Sequence, residues 1–376
     1  MAGSRLDPRR RTGAMAVSGT PPLQGSPCLR PGGVLSAATA APALAGGPHA
    51  FSGSIAVPSA VRLLPVLVLL AATGAVHAAA PPPACFAPAA LAARPGEEIV
   101  QPRKGAVALP DRVLAAAQPV PAPLAGAIRR VDLPAGVKLV ALTFDLCEAG
   151  GEVSGYDGAI FDYLRQEDVP TTLFAGGKWM MTHKERAMQL IADPLFEMGN
   201  HTWSHANLAV RAGTEMQRQV DDADIAYAVR RADAAALGCA MAGPERTRMF
   251  RFPYGSCSPE ALAYVNHTGH LAIQWDVDSG DPAFIGAKVM ADQMLAAIRP
   301  GSIVLMHANG RGKHTAAALR LLIPALKARG YGFATISELI AKGRPVVVPT
   351  CYSMRPGDTK VYDDAARQGR RVLPVQ

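Results

Sequence analysis

From Val137 onward the chain alternates between two apolar patterns. Short runs of apolar and β-branched residues read as buried strands: Val137 to Phe144, Thr171 to Ala175, Phe196 to Met198, Met249 to Phe252, Leu271 to Val277, Ser302 to Met306 and Phe333 to Ile336. Between them, apolar residues recur at helical spacing over Tyr156 to Gln166, Lys178 to Ala192, Thr214 to Leu237, Pro259 to His267, Gly286 to Ile298 and Thr315 to Arg329. Thr214 stands where a cap belongs. About seven β/α units with helical connectors predict parallel strands in an α/β sheet or barrel. In a barrel, catalytic groups gather at the carboxyl ends of the strands.

Outside this pattern the chain is of a different character. Residues 1–58 are rich in Ala, Gly, Pro and Ser and lack periodicity, and are expected to be disordered or to lie upstream of the true start codon. Residues 59–78 read as a secretory signal peptide: Arg62 precedes the apolar run Leu63 to Ala72, and Val76-His77-Ala78 offers small residues for cleavage. That run is shorter than the ~20 residues a membrane span needs, so membrane contact is expected only through this segment. The Pro/Ala-rich stretch 79–133 reads as a linker or arm, 134–343 as the main folded domain, and 344–376, with four prolines, as a tail wrapping it. An exported protein, periplasmic or extracellular, is the expectation.

Charge and cysteine content refine this picture. The net charge of +8 comes mostly from the leader; residues 79–376 hold 32 basic against 29 acidic side chains, without a basic run bearing aromatics, which argues against a nucleic-acid partner. Beyond Cys28, five cysteines remain, an odd number, so at least one thiol stays unpaired within the chain.

Five polar clusters each follow an apolar run. Thr143 to Glu148 carries Asp145 at a strand end, where an Asp can equally serve as a helix cap. His201 and His205 are four residues apart, a spacing that lets two imidazoles converge on one cation from a helix or tight coil, and that also occurs in purely structural pairs. Arg251 emerges from an apolar strand and is costly to bury without a carboxylate. Asp276, Asp278 and Asp281 crowd six positions, so at least one serves a turn. Ile303 to Met306 ends in His307.

The ordered set TFD, HTWSH, RFPYG, WDVDSGD and LMH resembles the five motifs of the polysaccharide deacetylases (NodB homology, carbohydrate esterase family four), over about residues 137 to 340. The resemblance implies a distorted (β/α)7-type barrel and metal-dependent removal of acetyl groups from N-acetylated glycans such as peptidoglycan or chitin-like oligomers. It implies Asp145 as general base, His201 and His205 as ligands of a divalent metal (zinc, with Co2+ or Ni2+ as alternatives), Arg251 as the group orienting the base, the Tyr254 amide as an oxyanion donor, and His307 as the acid, tuned by Asp281. The chain departs from the pattern twice. Leu146 stands where the family has a second Asp, the third metal ligand. Glu148 is the favoured substitute, with Cys147 or a water as alternatives. Pro282 replaces the Trp that often follows the fourth motif. A metal amidohydrolase acting on a non-sugar amide and a silent glycan-binding relative are the competing expectations.

Overall fold

Leu139–Leu146 is a strand with seven of its eight residues buried, as a parallel strand covered on both faces must be. In the computed structural model, which describes residues 85–241 and 243–370, it pairs in parallel with Thr171–Ala175 on one side and Ile303–His307 on the other. The expected leader and signal segment lie outside the described residues. From Thr171–Ala175 the parallel ladder continues through Phe196–Asn200, Met249–Phe250 and Leu271–Ile273. On the other side, Ile303–His307 pairs with Val277–Asp278.

Leu271–Ile273 and Val277–Asp278 are two parts of one extended segment, where the sequence predicts a single strand. Its first part joins Met249–Phe250 and its second joins Ile303–His307, so the sheet curls back on itself through a bend at Gln274 to Asp276. Within the bend, Gln274 N donates to the Ile128 carbonyl (2.8 Å) and Asp276 N to that of Ile303 (3.2 Å), so the change of partner leaves neither amide unpaired. The result is the distorted barrel of the α/β class.

Two strands come from segments predicted to lie outside the domain. Ala127–Asp132 runs parallel to Leu271–Ile273, and Arg344–Val348 runs antiparallel to Ala127–Asp132. Ala127, Ile128 and Val131 are fully buried, so the folded domain begins within the expected arm rather than at residue 134. Arg129 and Arg130 hide this strand from a hydropathy reading; their charges are met by the Tyr352 and Ser353 carbonyls and by Asp132.

The predicted helix Lys178 to Ala192 is broken into Gly177–Thr182 and Lys184–Ala192. The joint is His183 (φ −107°, ψ 50°), whose ring stacks on Trp179 at 4.7 Å and whose Nδ1 lies 3.2 Å from the Trp179 carbonyl. The long helix spans Gly213–Ala236 with Ala212 at its N-cap, so Thr214 does not cap it. Disulfides join Cys85 to Cys239 and Cys257 to Cys351, and Cys147 is a buried free thiol. Among the described residues no helix is long and apolar enough to cross a membrane.

Candidate active site

Parallel pairing sets the first relation. Asp145, next to last in its strand, is the register partner of His307, last in its own. Asp145 is buried; its Oδ1 accepts from Arg251 Nη1 (2.9 Å), and its Oδ2 lies 3.3 Å from His201 Nε2. Arg251 is wholly buried, donates to the Ile273 and Gln274 carbonyls (3.3 and 3.4 Å), and lies 4.0 Å over the Phe174 ring. Burial disfavours its cation and lowers its pKa, while Asp145 works in the opposite direction.

His201 and His205 sit on a turn, not on a helix. Asn200 Oδ1 accepts from Thr202 N (2.9 Å), and Thr202 and His205 adopt left-handed backbone (φ 65° and 56°). The two rings end 5.0 Å apart. His201 Nδ1 is 2.8 Å from the Arg251 carbonyl, which can only accept, so Nδ1 carries the proton and Nε2 presents a lone pair. That Nε2 is buried without a hydrogen-bond partner. Burial lowers the pKa of His201 and, reinforced by the neighbouring cations, takes that of His205 well below the usual histidine value. Both rings are therefore held as neutral donors.

Strand periodicity decides what replaces the missing carboxylate. Leu146 packs into the apolar core, fully buried. Two residues after Asp145, on the same side of the extended chain, comes Cys147; Glu148 follows Leu146 to the other side. The Cys147, His201 and His205 donor atoms all lie within 4.8 Å of one another. Glu148 does not join them, contrary to the expectation. Its Oε2 accepts from Thr182 Oγ1 (2.7 Å) and Ser154 N (3.2 Å), and Lys178 Nζ stands 3.3 Å from Oε1. One thiol and two imidazoles, with an unpartnered buried nitrogen among them, form a donor set suited to a divalent ion of the zinc type. Cys147 Sγ also accepts from Asn309 Nδ2 (3.1 Å), the kind of supporting contact that orients a ligand.

Across the site, His307 Nδ1 is 2.8 Å from Asp281 Oδ1. Asp281 is wholly buried, and its Oδ2 accepts from His307 N (2.7 Å) and Thr315 Oγ1 (2.8 Å). Burial opposes a charge on His307, but Asp281, helped by Asp145 and Asp278, outweighs it, and the imidazolium is pushed up to about 9. Of the other acids, Asp276 is committed to Ile303 N (2.9 Å) and Ser302 Oγ (3.1 Å), whereas Asp278 lines the cavity. Tyr254 holds left-handed backbone (φ 61°) between Pro253 and Gly255, an uncommon conformation for an aromatic residue and one that fixes the aim of its peptide.

These groups surround a cavity of about 270 Å³, lined by Asp145, Cys147, His205, Tyr254 and His307 among others. Trp275, Arg311, Ser353 and Tyr362 also line it, and motif reading did not single them out as site residues. Trp275 opens the fourth motif and Arg311 lies four residues past the fifth, so both were within reach of a local reading. Ser353 and Tyr362 come from the tail, and their only sequence signal was Cys351, which is bonded to Cys257 just beyond RFPYG.

A family profile described as polysaccharide deacetylase matches residues 132–273. A chitooligosaccharide deacetylase of Sinorhizobium fredii is 33% identical over 208 residues, 52% of this chain and 89% of that protein. A peptidoglycan N-acetylglucosamine deacetylase solved with a bound benzamide is similar in structure (TM-score 0.50, 26% identity, 58% of this chain and 95% of that one). So is a pseudoenzyme of carbohydrate esterase family 4 from Bacillus anthracis (TM-score 0.50, 26% identity, 58% and 70%).

Proposed function

Because the chain belongs to the polysaccharide deacetylase family, we propose that it is exported and hydrolyses the N-acetyl amides of an amino-sugar polymer, a chitin-like oligomer or peptidoglycan, with the help of a divalent metal. One observation carries this reading. Asp145 and His307 are direct register partners on the rim of one cavity, the first a carboxylate paired with a buried guanidinium, the second an imidazole paired with a buried carboxylate.

Amide hydrolysis needs an activated water, stabilisation of the carbonyl oxygen, and a proton for a poor leaving group. Asp145 takes a proton from water as the water oxygen attacks the acetamide carbon. Arg251 holds one oxygen of Asp145 so that the other is presented to the reaction. The Tyr254 amide receives the developing oxyanion. As the C–N bond breaks, His307 gives its proton to the nitrogen, and acetate and a free amine leave. Cys147, His201 and His205 would hold the divalent ion, which supplies Lewis-acid polarisation and makes water more acidic. A thiolate beside two imidazoles favours zinc over magnesium or calcium. Burial pushes the Cys147 thiol up to about 12, so loading of the ion should release a proton.

Export is supported by the signal-like segment 59–78 and by two disulfides, which persist in oxidising compartments. N-terminal sequencing of secreted material should begin close to Ala79. For the activity, the test is acetate release from N-acetylglucosamine oligomers and from peptidoglycan, run beside metal analysis. For the ligand set, Co2+-loaded protein should show a thiolate charge-transfer band in the near ultraviolet. Cys147→Ser should abolish that band and weaken zinc binding by more than the roughly 10- to 100-fold that loss of a ligand's outer hydrogen-bond partner costs; an unchanged band and affinity would rule the thiol out. Leu146 favours a second reading, a silent glycan-binding relative. Such a protein has no use for two oriented proton-transfer pairs, and acetate release decides between them.

A further inference from the structure

We propose that the C-terminal segment 349–367 forms one wall of the sugar cleft, and that Tyr362 is the ring on which a pyranose next to the scissile acetamide packs; the identity of the sugar rests on the deacetylase reading above. Among the aromatic residues that line the cavity, Phe252, Tyr254 and Trp275 belong to the motif strands and loops, and Tyr362 alone comes from the far end of the chain. Tyr362 lines the same cavity as Asp145, His205 and His307, and stacks on Tyr254 with centroids 5.3 Å apart and planes at 25°. Tyr254 in turn lies 4.6 Å from the His205 ring, so the row of rings runs from the tail to the histidine pair. Sugars present faces of C–H groups, and a flat ring of fixed orientation offers them contact area at little entropic cost.

The tail is built into this position. The Cys257–Cys351 disulfide ties it to the loop that carries Tyr254. Arg129 donates to the Tyr352 carbonyl (2.7 Å) and the Ser353 carbonyl (2.5 Å), and its guanidinium lies 3.9 Å over the Tyr352 ring. Next to Tyr362, Asp363 Oδ1 accepts from Ser256 Oγ (2.7 Å) and Asn207 Nδ2 (2.8 Å). Gly255 makes room for the approach: a Cβ there would lie 2.9 Å from the Trp275 ring and 3.2 Å from Ser353 N. The tail is thus held by three separate elements: the strand that carries Arg129, the loop of Ser256 and Cys257, and Asn207 just after the histidine turn.

The test compares the full chain with Tyr362→Ala, Tyr362→Leu and Tyr362→Phe, measuring N-acetylglucosamine tetramer binding by calorimetry and the steady-state constants for acetate release. Tyr362→Ala and Tyr362→Leu should raise Kd and KM about tenfold with less than a twofold fall in kcat, and Tyr362→Phe should restore binding, since the ring face carries the contact. Leucine guards against a cavity-induced folding defect, which thermal unfolding reports. Unchanged Kd and KM, or a fall in kcat at constant KM, would overturn the wall and leave the tail a brace for Tyr254. Tetramer binding that depends on Tyr362, with no acetate released from the tetramer or from peptidoglycan, would sink the deacetylase reading and keep the wall. Wild-type protein that neither binds nor deacetylates the tetramer or peptidoglycan fragments would overturn both.

Discussion

Among the described residues an Asp–Arg–His group forms around each of two buried aspartates, Asp145 and Asp224, and the two groups serve different ends. Asp224, wholly buried, accepts from Asn200 Nδ2 (3.0 Å), Thr247 Oγ1 (2.7 Å) and Arg246 (2.9 and 3.0 Å), and His270 Nε2 lies 3.1 Å from its second oxygen. Both oxygens are fully engaged, and the group does not line the catalytic cavity. The Asp145 group has the same composition, yet it opens on the cavity and leaves His201 Nε2 without a hydrogen-bond partner. Buried polar atoms are almost always satisfied, so a nitrogen without a hydrogen bond, clustered with the Cys147 thiol and the His205 ring, marks a place kept for a ligand, whereas a closed network marks a brace. The two are joined through Asn200, which donates to Asp224 and accepts from Thr202 in the histidine turn.

The sharpest way to break this comparison is to neutralise each aspartate. Asp145→Asn should lower kcat for acetate release by about 10²–10⁴-fold while the protein stays folded. Asp224→Asn should do the reverse: leaving Arg246 and His270 without their anion is expected to cost about 3–5 kcal/mol in denaturant unfolding, with smaller loss of activity in the folded fraction. If Asp224→Asn proved as inactive as Asp145→Asn at equal stability, the distinction would fail.

Acid titration offers a milder version. Burial works against the Asp224 anion, but His270 and Arg246 outweigh it and bring its pKa down to about 2. A depressed carboxylate contributes stability that is fully present above the unfolded value near 3.9 and is lost as pH falls towards 2; here that is on the order of 2 kcal/mol. Unfolding free energies measured between pH 5 and 2 should show the decline, and Asp224→Asn should flatten it.

On the acid side of the cavity the sign is reversed. His307, raised to about 9, keeps its proton at neutral pH and loses it as pH climbs through 9, so activity should fall along an alkaline limb there. Asp281→Asn removes the main stabilising charge; the limb should shift down towards the ordinary histidine value of about 6.5, with kcat lower by roughly 10²-fold at neutral pH. A limb that stayed in place would detach it from His307. The smallest effect belongs to Glu148→Gln, expected to leave zinc stoichiometry unchanged and to reduce stability only modestly, because Glu148 is bound to Thr182, Ser154 and Lys178.

Much of this arrangement was legible along the chain. The β/α alternation, the five clusters at strand ends and their convergence could be read because strand and helix periods are local properties, and parallel pairing then collects all carboxyl ends on one rim. Even the thiol was within reach: Asp145 and Cys147 are two apart in extended chain, and counting side-chain reach favoured Glu148 over the period that places it with Leu146. The strand Ala127–Asp132 was hidden by its paired arginines, and the break at His183 by a local contact with Trp179.

What the amino-acid order determined by itself, then, was the class of fold and the kinds of groups delivered to the rim, since both follow from periodicity and from residues adjacent in sequence. Only the tertiary structure decided which side chain stands beside the histidines, which buried aspartate is a brace, and that Tyr362 reaches the cavity. Those outcomes depend on contacts between residues up to 224 positions apart, such as Arg129 with Ser353, and such pairings leave no periodic trace in the chain.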